Sequence, residues 1–253
     1  MTTIQGFNES HIEIFAAPHP VAKTVRVLKE WMGARHRAID VGCGAGYYAD
    51  LCLAQGNSVI GIDLTSQVVF ARQRGLNVCQ GNIEGHLPFP DDTFSLALCS
   101  EVIEHLLEPE KMLAEIRRIL QPGGILILTT PNYGFWTLRI LYLFGHPPVG
   151  LPVRHFNGLF RRAADNSAPP WREPHIRFFT PSILQRLLGE CGFEVARIRS
   201  TFVGFPSALA PYLPWLLGLP LRVIGKLIGN LEYLGDAFPS LLAAGILVKA
   251  VKR

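Results

Sequence analysis

Two hydrophobic rhythms alternate along this chain. Short runs that are apolar at almost every position read as strands buried on both faces: Ala38-Ile39-Asp40-Val41, residues 57–63, 76–79, 95–100 and 125–129. Between them lie stretches with helical spacing. Val21, Val25, Leu28 and Trp31 mark an amphipathic helix over 20–32, and 47–55, 65–74 and 110–120 read as further helices, with Thr65 as the N-cap of the third. Strands and helices in alternation predict a mostly parallel sheet covered on both faces, an α/β architecture. A helix over 181–190 and strands over 193–201 and 244–251 complete the pattern.

The alternation fails twice. Residues 133–172 carry many prolines and eight aromatic side chains, at 133, 135, 136, 142, 144, 156, 160 and 171, and connections of that length in a compact domain are usually functional. We read 133–175 as a substrate-lid insertion. Residues 200–221 bear no charge and are long enough to cross a bilayer, but Pro206, Pro211, Pro214 and Pro220 interrupt them. Leu221, Ile224, Leu227, Ile228, Leu231 and Leu234 then recur at helical spacing. The stretch 203–240 is therefore an apolar helical insertion. It packs on the domain or on a second subunit, as in a homodimer, or it lies on a membrane surface.

The chain has 253 residues, enough for one large α/β domain with insertions, so 1–253 is taken as a single domain. Charged residues make up only 17% of it, against a usual share of about 25%, which suggests that part of its surface is covered. A net charge of +4 is too weak to argue for nucleic acid as a partner. Arg154, Arg161, Arg162, Arg172 and Arg177 nevertheless gather beside the aromatics of the first insertion, where they would suit planar, sugar or phosphate groups or simply face water. Five cysteines without C-x-x-C spacing read as reduced thiols, and residues 1–10 do not look like a signal peptide. The expected location is cytoplasmic, with 203–240 as a means of peripheral attachment to the inner face of a membrane.

The first strand ends in Asp40-Val41-Gly42-Cys43-Gly44-Ala45-Gly46, and the second ends on Asp63, about twenty residues later. Alternating glycines expose backbone against which a flat ligand can lie, and an acid at the second position suits a ribose diol. The spacing D-x-G-x-G-x-G differs from the G-x-G-x-x-G of nicotinamide and flavin enzymes, which disfavours an NAD-dependent oxidoreductase. Together with Pro122-Gly123-Gly124 and Thr129-Thr130-Pro131-Asn132, these motifs make residues 20–200 and 243–252 resemble the class I S-adenosylmethionine-dependent methyltransferases. The resemblance implies a seven-stranded Rossmann-like sheet closed by an antiparallel last strand. It also implies a cofactor site formed by Asp40, Gly42, Gly44, Gly46, Asp63, Leu64, Asn82, Ile83 and Ser100, with Asn82 and Ile83 at the adenine.

The fourth strand runs into Glu101-Val102-Ile103-Glu104-His105-Leu106. Read as the start of a helix, this places Glu101, Glu104 and His105 at i, i+3 and i+4 on one face. His175 would come round from Pro174-His175-Ile176-Arg177. This E-x-x-E-H with a distant histidine resembles the ubiquinone-pathway O-methyltransferases and the small-RNA 3′-end 2′-O-methyltransferases. That likeness implies Glu101, Glu104, His105 and His175 as ligands of Mg²⁺ or another divalent cation that would lower the pKa of an acceptor hydroxyl. The other reading is an ion-pair network, with His105 or His175 as general base and Glu101 beside the cofactor. The expected activity is methyl transfer to a hydroxyl of a lipid-linked, quinone-like or saccharide small molecule. An RNA 2′-O-methyltransferase and a non-catalytic, cofactor-binding or membrane-attached partner subunit are the alternatives.

Overall fold

The computed structural model describes residues 20–143, 175–201 and 235–253. Most of both insertions, 144–174 and 202–234, lies outside the described residues, and so does the amphipathic pattern at 221–234. The element order is α1 (Pro20–Met32), β1 (Arg37–Val41), α2 (Tyr47–Ala54), β2 (Ser58–Asp63), α3 (Val68–Gln73), β3 (Val78–Gln80), β4 (Phe94–Ser100), α4 (Pro109–Ile119), β5 (Leu120–Pro131), α5 (Trp136–Leu143), α6 (Pro181–Glu190), β6 (Phe193–Ser200), α7 (Pro239–Leu242) and β7 (Gly245–Lys252). A 3₁₀ turn, Ile103–His105, follows β4.

These strands form one seven-stranded sheet in the order β3-β2-β1-β4-β5-β7-β6. The first five are parallel, and β7 runs antiparallel to both β5 and β6. Chain order reverses between β1 and β4, so a crevice opens outside the carboxyl ends of those two strands. In register, Asp40 lies beside Leu98 of β4, and Ser100 lies beside Thr129 of β5.

Side chains alternate between two apolar layers, as the pleat requires. Val41, Ala97, Cys99 and Leu128 join Met112 and Ile116 of α4 and Leu184 and Leu188 of α6 on one face. Ala38, Leu96, Leu98 and Ile127 join Leu28 and Trp31 of α1, Cys52 of α2 and Ala71 of α3 on the other. The five cysteines are free thiols, three of them buried. No helix of the described residues is long and apolar enough to cross a membrane.

Two details depart from the pattern. Thr65 does not cap α3, which begins at Val68. Its N–H and hydroxyl both donate to Asp63 Oδ1, at 2.7 Å each, so the acid at the end of β2 takes both donors and delays the helix. The buried stripe of α1 runs through Lys23, Val27, Leu28, Trp31 and Met32, while Val25 is only half-buried. A lysine occupies that stripe because its Nζ meets Ser200 Oγ at 2.6 Å and Asp236 Oδ1 at 3.0 Å. Burial alone would raise the Asp236 pKa. Hydrogen bonds from the Ser200 N–H and Lys23 outweigh it and hold the carboxyl below its ordinary value.

At the end of β5, Asn132 fastens the returning chain. Its Nδ2 donates to the carbonyls of Pro239 (2.9 Å) and Ala243 (2.7 Å), and its Oδ1 accepts from the Gly134 N–H (2.9 Å). Asn132→Ala leaves these groups without their partner in a buried place, and a loss of about 2–3 kcal/mol is expected in urea denaturation. A loss below about 0.5 kcal/mol would show that solvent replaces the bonds.

Candidate functional site

β1 delivers Asp40 and then breaks into the glycine turn ahead of α2. Gly42, Gly44 and Gly46 all lie at positive φ, 75°, 50° and 87°. Gly42 is also needed for space: a Cβ there would stand 2.3 Å from Cγ2 of Val102, just past β4. The N–H groups of Gly42 and Cys43 both donate to the Ile62 carbonyl, at 2.8 and 3.1 Å, which ties the turn to β2.

Asp63 completes this frame. Its Oδ2 accepts from the Gly44 N–H at 2.8 Å while Oδ1 holds Thr65. Each carboxylate oxygen has about two acceptor sites, so Oδ2 keeps capacity for a further donor. Beside it Leu64 is 60% exposed, an apolar face of the kind that a planar ring would cover. Ile83 is buried, whereas Asn82 is exposed and turns its Oδ1 back to the Glu84 N–H. Ser100 is buried at the end of β4 and hydrogen-bonds Tyr48.

Asp40 is the electrostatic anomaly of this turn. It is buried, and its Oδ2 has no hydrogen-bond partner among the described residues. Burial pushes its pKa up to about 7, and the Ala49 N–H in the first turn of α2 only partly offsets that. A buried carboxylate with an open oxygen suits a cationic group.

The second group of side chains forms differently from the helix face that the sequence suggests. Glu101 has φ 55° and is exposed, and its N–H donates to the Thr129 carbonyl at 3.0 Å. Only Ile103–His105 is helical, and that turn is 3₁₀. Glu101 therefore does not share a face with Glu104 and His105. The cluster that forms is Glu104, His105 and His175, whose metal-ligating atoms lie within 4.8 Å of one another. Glu104 is wholly buried, with Thr130 Oγ1 donating to Oε2 at 3.0 Å. Its Oε1 has no hydrogen-bond partner among the described residues, and His105 Nε2 stands 3.9 Å away, too far for a hydrogen bond. Burial, reinforced by the nearby Glu101 charge, raises the Glu104 pKa well above the usual carboxylate range.

His175 is brought in by the segment before α6. The Ile176 and Arg177 N–H groups both donate to the Glu104 carbonyl, at 2.9 and 3.0 Å. The Arg177 side chain donates to the carbonyls of Leu106 and Leu107. The His105 and His175 rings are 4.7 Å apart, and the Tyr133 hydroxyl meets His175 Nδ1 at 2.8 Å. Burial, and then the His105 charge, lower the His175 pKa, so this imidazole is neutral at pH 7 and able to accept a proton. The sequence marks Tyr133 only as one of the aromatics of the first insertion and Arg177 only as one of its arginines, and it gives neither a place beside Glu104 and His175.

For Asp40, the unfolded carboxyl releases its proton near 3.8 and the folded one near 7, so the stability carried by the bound proton is complete below pH 4 and lost as pH rises through about 7. Asp40→Asn keeps an acceptor for Ala49 without the charge. The ligand-free variant is expected to gain about 1–3 kcal/mol over wild type at pH 8 and much less at pH 5, read by denaturation at both pH values. An equal change at both would remove the buried charge from the account.

Residues 39–128 match the sequence family described as Methyltransferase domain. A protein of Mycolicibacterium smegmatis named probable S-adenosylmethionine-dependent methyltransferase is 36% identical over 169 residues, covering 66% of this chain and 55% of the relative. The chain thus spans about half the length of that curated relative. A ubiquinone biosynthesis O-methyltransferase of Aromatoleum aromaticum is 25% identical over 172 residues, covering 65% of this chain and 67% of that protein. The crystal structure of a SAM dependent methyltransferase from Archaeoglobus fulgidus superposes with a TM-score of 0.58 at 19% identity, over 96% of this chain and 98% of that one. Residues 39–128 therefore match a methyltransferase domain, and the described sheet has the Rossmann-like fold of the solved methyltransferase.

Proposed function

We propose that this protein transfers a methyl group from S-adenosylmethionine to a hydroxyl of a small acceptor that is lipid-linked, quinone-like or a saccharide. The observation that carries the reading is the pairing of two sites at the carboxyl ends of the neighbouring central strands β1 and β4. The bare glycine turn with its open Asp40 carboxylate lies past β1, and the Glu104–His105–His175 cluster lies past β4. Asp40 offers a buried negative charge for an ammonium group, and the free acceptor capacity of Asp63 Oδ2 suits a ribose hydroxyl. Leu64 offers exposed apolar surface for a purine. When bound, S-adenosylmethionine supplies an electrophilic methyl group on a sulfonium.

Methyl transfer needs alignment of the acceptor and removal of its proton. Glu104 is wholly buried, its Oε2 accepts from Thr130, and burial favours its protonated form, so the imidazole of His175 is the better base. A divalent ion is the second reading, favoured by the donor atoms of Glu104, His105 and His175 within 4.8 Å. Two imidazoles and one carboxylate suit a borderline metal, whose charge would reverse the high pKa of Glu104. The named relatives support the transfer reaction, and the ubiquinone relative supports an oxygen acceptor.

The test is incubation with methyl-labelled S-adenosylmethionine and a panel of quinol precursors, glycolipids, saccharides and RNA oligonucleotides, with and without Mg²⁺ or Mn²⁺. Labelled ether on a small hydroxylic acceptor is expected, and His175→Ala should cut the rate by 10²–10⁴-fold, the usual share of a general base. Label on RNA alone, or on nitrogen, would overturn the acceptor assignment. An unchanged rate in His175→Ala would overturn the assignment of the base.

A further inference from the structure

We propose that Tyr133 is the positioning residue of His175: its hydroxyl oxygen accepts from the ring at Nδ1–H, which holds the imidazole in place and leaves the lone pair of Nε2 for the acceptor. The inference rests on the functional reading above and names a residue which that reading does not include.

Three contacts of different kinds join Tyr133 to the segment that carries His175. Its backbone N–H donates to the Phe179 carbonyl at 2.9 Å, and its ring meets Phe178 edge to face, with centroids 4.6 Å apart. Its hydroxyl reaches His175 Nδ1 at 2.8 Å, a short and well-formed hydrogen bond. The first two contacts place the phenol, and the third directs the imidazole. The ring has little freedom to swing elsewhere. The N–H groups of Ile176 and Arg177 are fixed on the Glu104 carbonyl, and the His105 ring packs 4.7 Å from that of His175.

The two nitrogens of a neutral imidazole have opposite roles, one donor and one acceptor, and a hydroxyl that accepts at Nδ1–H leaves Nε2 as the acceptor. A base that removes an acceptor proton must present the correct nitrogen, in the correct tautomer, at hydrogen-bond distance. A histidine that binds a metal has the same requirement, usually met by a partner on its far nitrogen. Tyr133 meets it in either case. It stands immediately after Asn132, whose three hydrogen bonds fix the end of β5, so the phenol is mounted on a rigid end of an interior strand.

The experiment is ¹⁵N-detected imidazole NMR on the full-length, chelator-treated protein, with His175→Gln used to assign the resonances and with S-adenosylhomocysteine binding measured alongside. In wild type the two ring nitrogens of His175 should be widely separated in shift, with the proton on Nδ1 and the lone pair on Nε2; a proton on Nε2 would overturn the proposal. Tyr133→Phe keeps the ring contacts and removes only the hydroxyl, and it should draw the two shifts together while cofactor affinity stays within about twofold. Shifts already averaged in wild type, or unmoved in Tyr133→Phe, would overturn the proposal. If the variant fails to fold, the protonated nitrogen in the wild-type spectrum decides: Nδ1–H supports the proposal and Nε2–H overturns it. Loss of S-adenosylhomocysteine binding in wild type would instead count against the methyltransferase reading, so the two failures are distinguishable.

Discussion

The close approach of Val102 to the bare backbone of Gly42 is the constraint on which the rest depends. β1 and β4 are neighbours where the strand order reverses, and their carboxyl ends must diverge to leave a crevice. At Gly42 the chain takes φ 75° and carries no Cβ, so Val102 fills the place where a side chain would stand. This single contact joins the glycine turn to the segment bearing Glu101, Glu104 and His105. The site past β1 and the site past β4 are therefore built on one junction, and displacing Val102 would disturb both.

Two buried carboxyls next to that junction carry raised pKa values for the same reason but suit different chemistry. Asp40 borders the glycine turn with an open oxygen, so a cationic ligand would recover the cost of its burial. Glu104 sits beside imidazoles and another acid, and without a cation burial favours its protonated form. His175 shifts in the opposite direction, to a neutral base. Groups whose environments push their protonation apart at one end of the sheet are what acid–base chemistry near neutral pH requires. The fold alone does not specify a reaction, and the functional reading rests on these side chains.

Much of the sheet was legible from sequence because its strands are buried on both faces and separated by glycine and proline stops. The runs at 38–41, 57–63, 95–100 and 125–129 all appear as strands, and the closing pair is antiparallel. Local periodicity misled where long-range contacts decide. The Glu101–Leu106 run has the spacing of a helix, yet Glu101 is held at positive φ with its N–H on Thr129, and the Glu104 carbonyl is occupied by N–H groups from Ile176 and Arg177. Lys23 falls on an apolar stripe that only Asp236 and Ser200 make tolerable. Tyr133 gives no sequence signal that sets it apart from neighbouring aromatics, because its role depends on a histidine far along the chain.

The central claim is that the turn at Gly42–Gly46 is a site for S-adenosylmethionine, and calorimetric titration of the full-length protein with S-adenosylhomocysteine tests it most directly. The account predicts saturable one-site binding, at least about tenfold weaker in Asp63→Asn, with no heat from NADH. Saturable binding of NADH and none of S-adenosylhomocysteine would contradict it and assign the glycine turn to a different nucleotide.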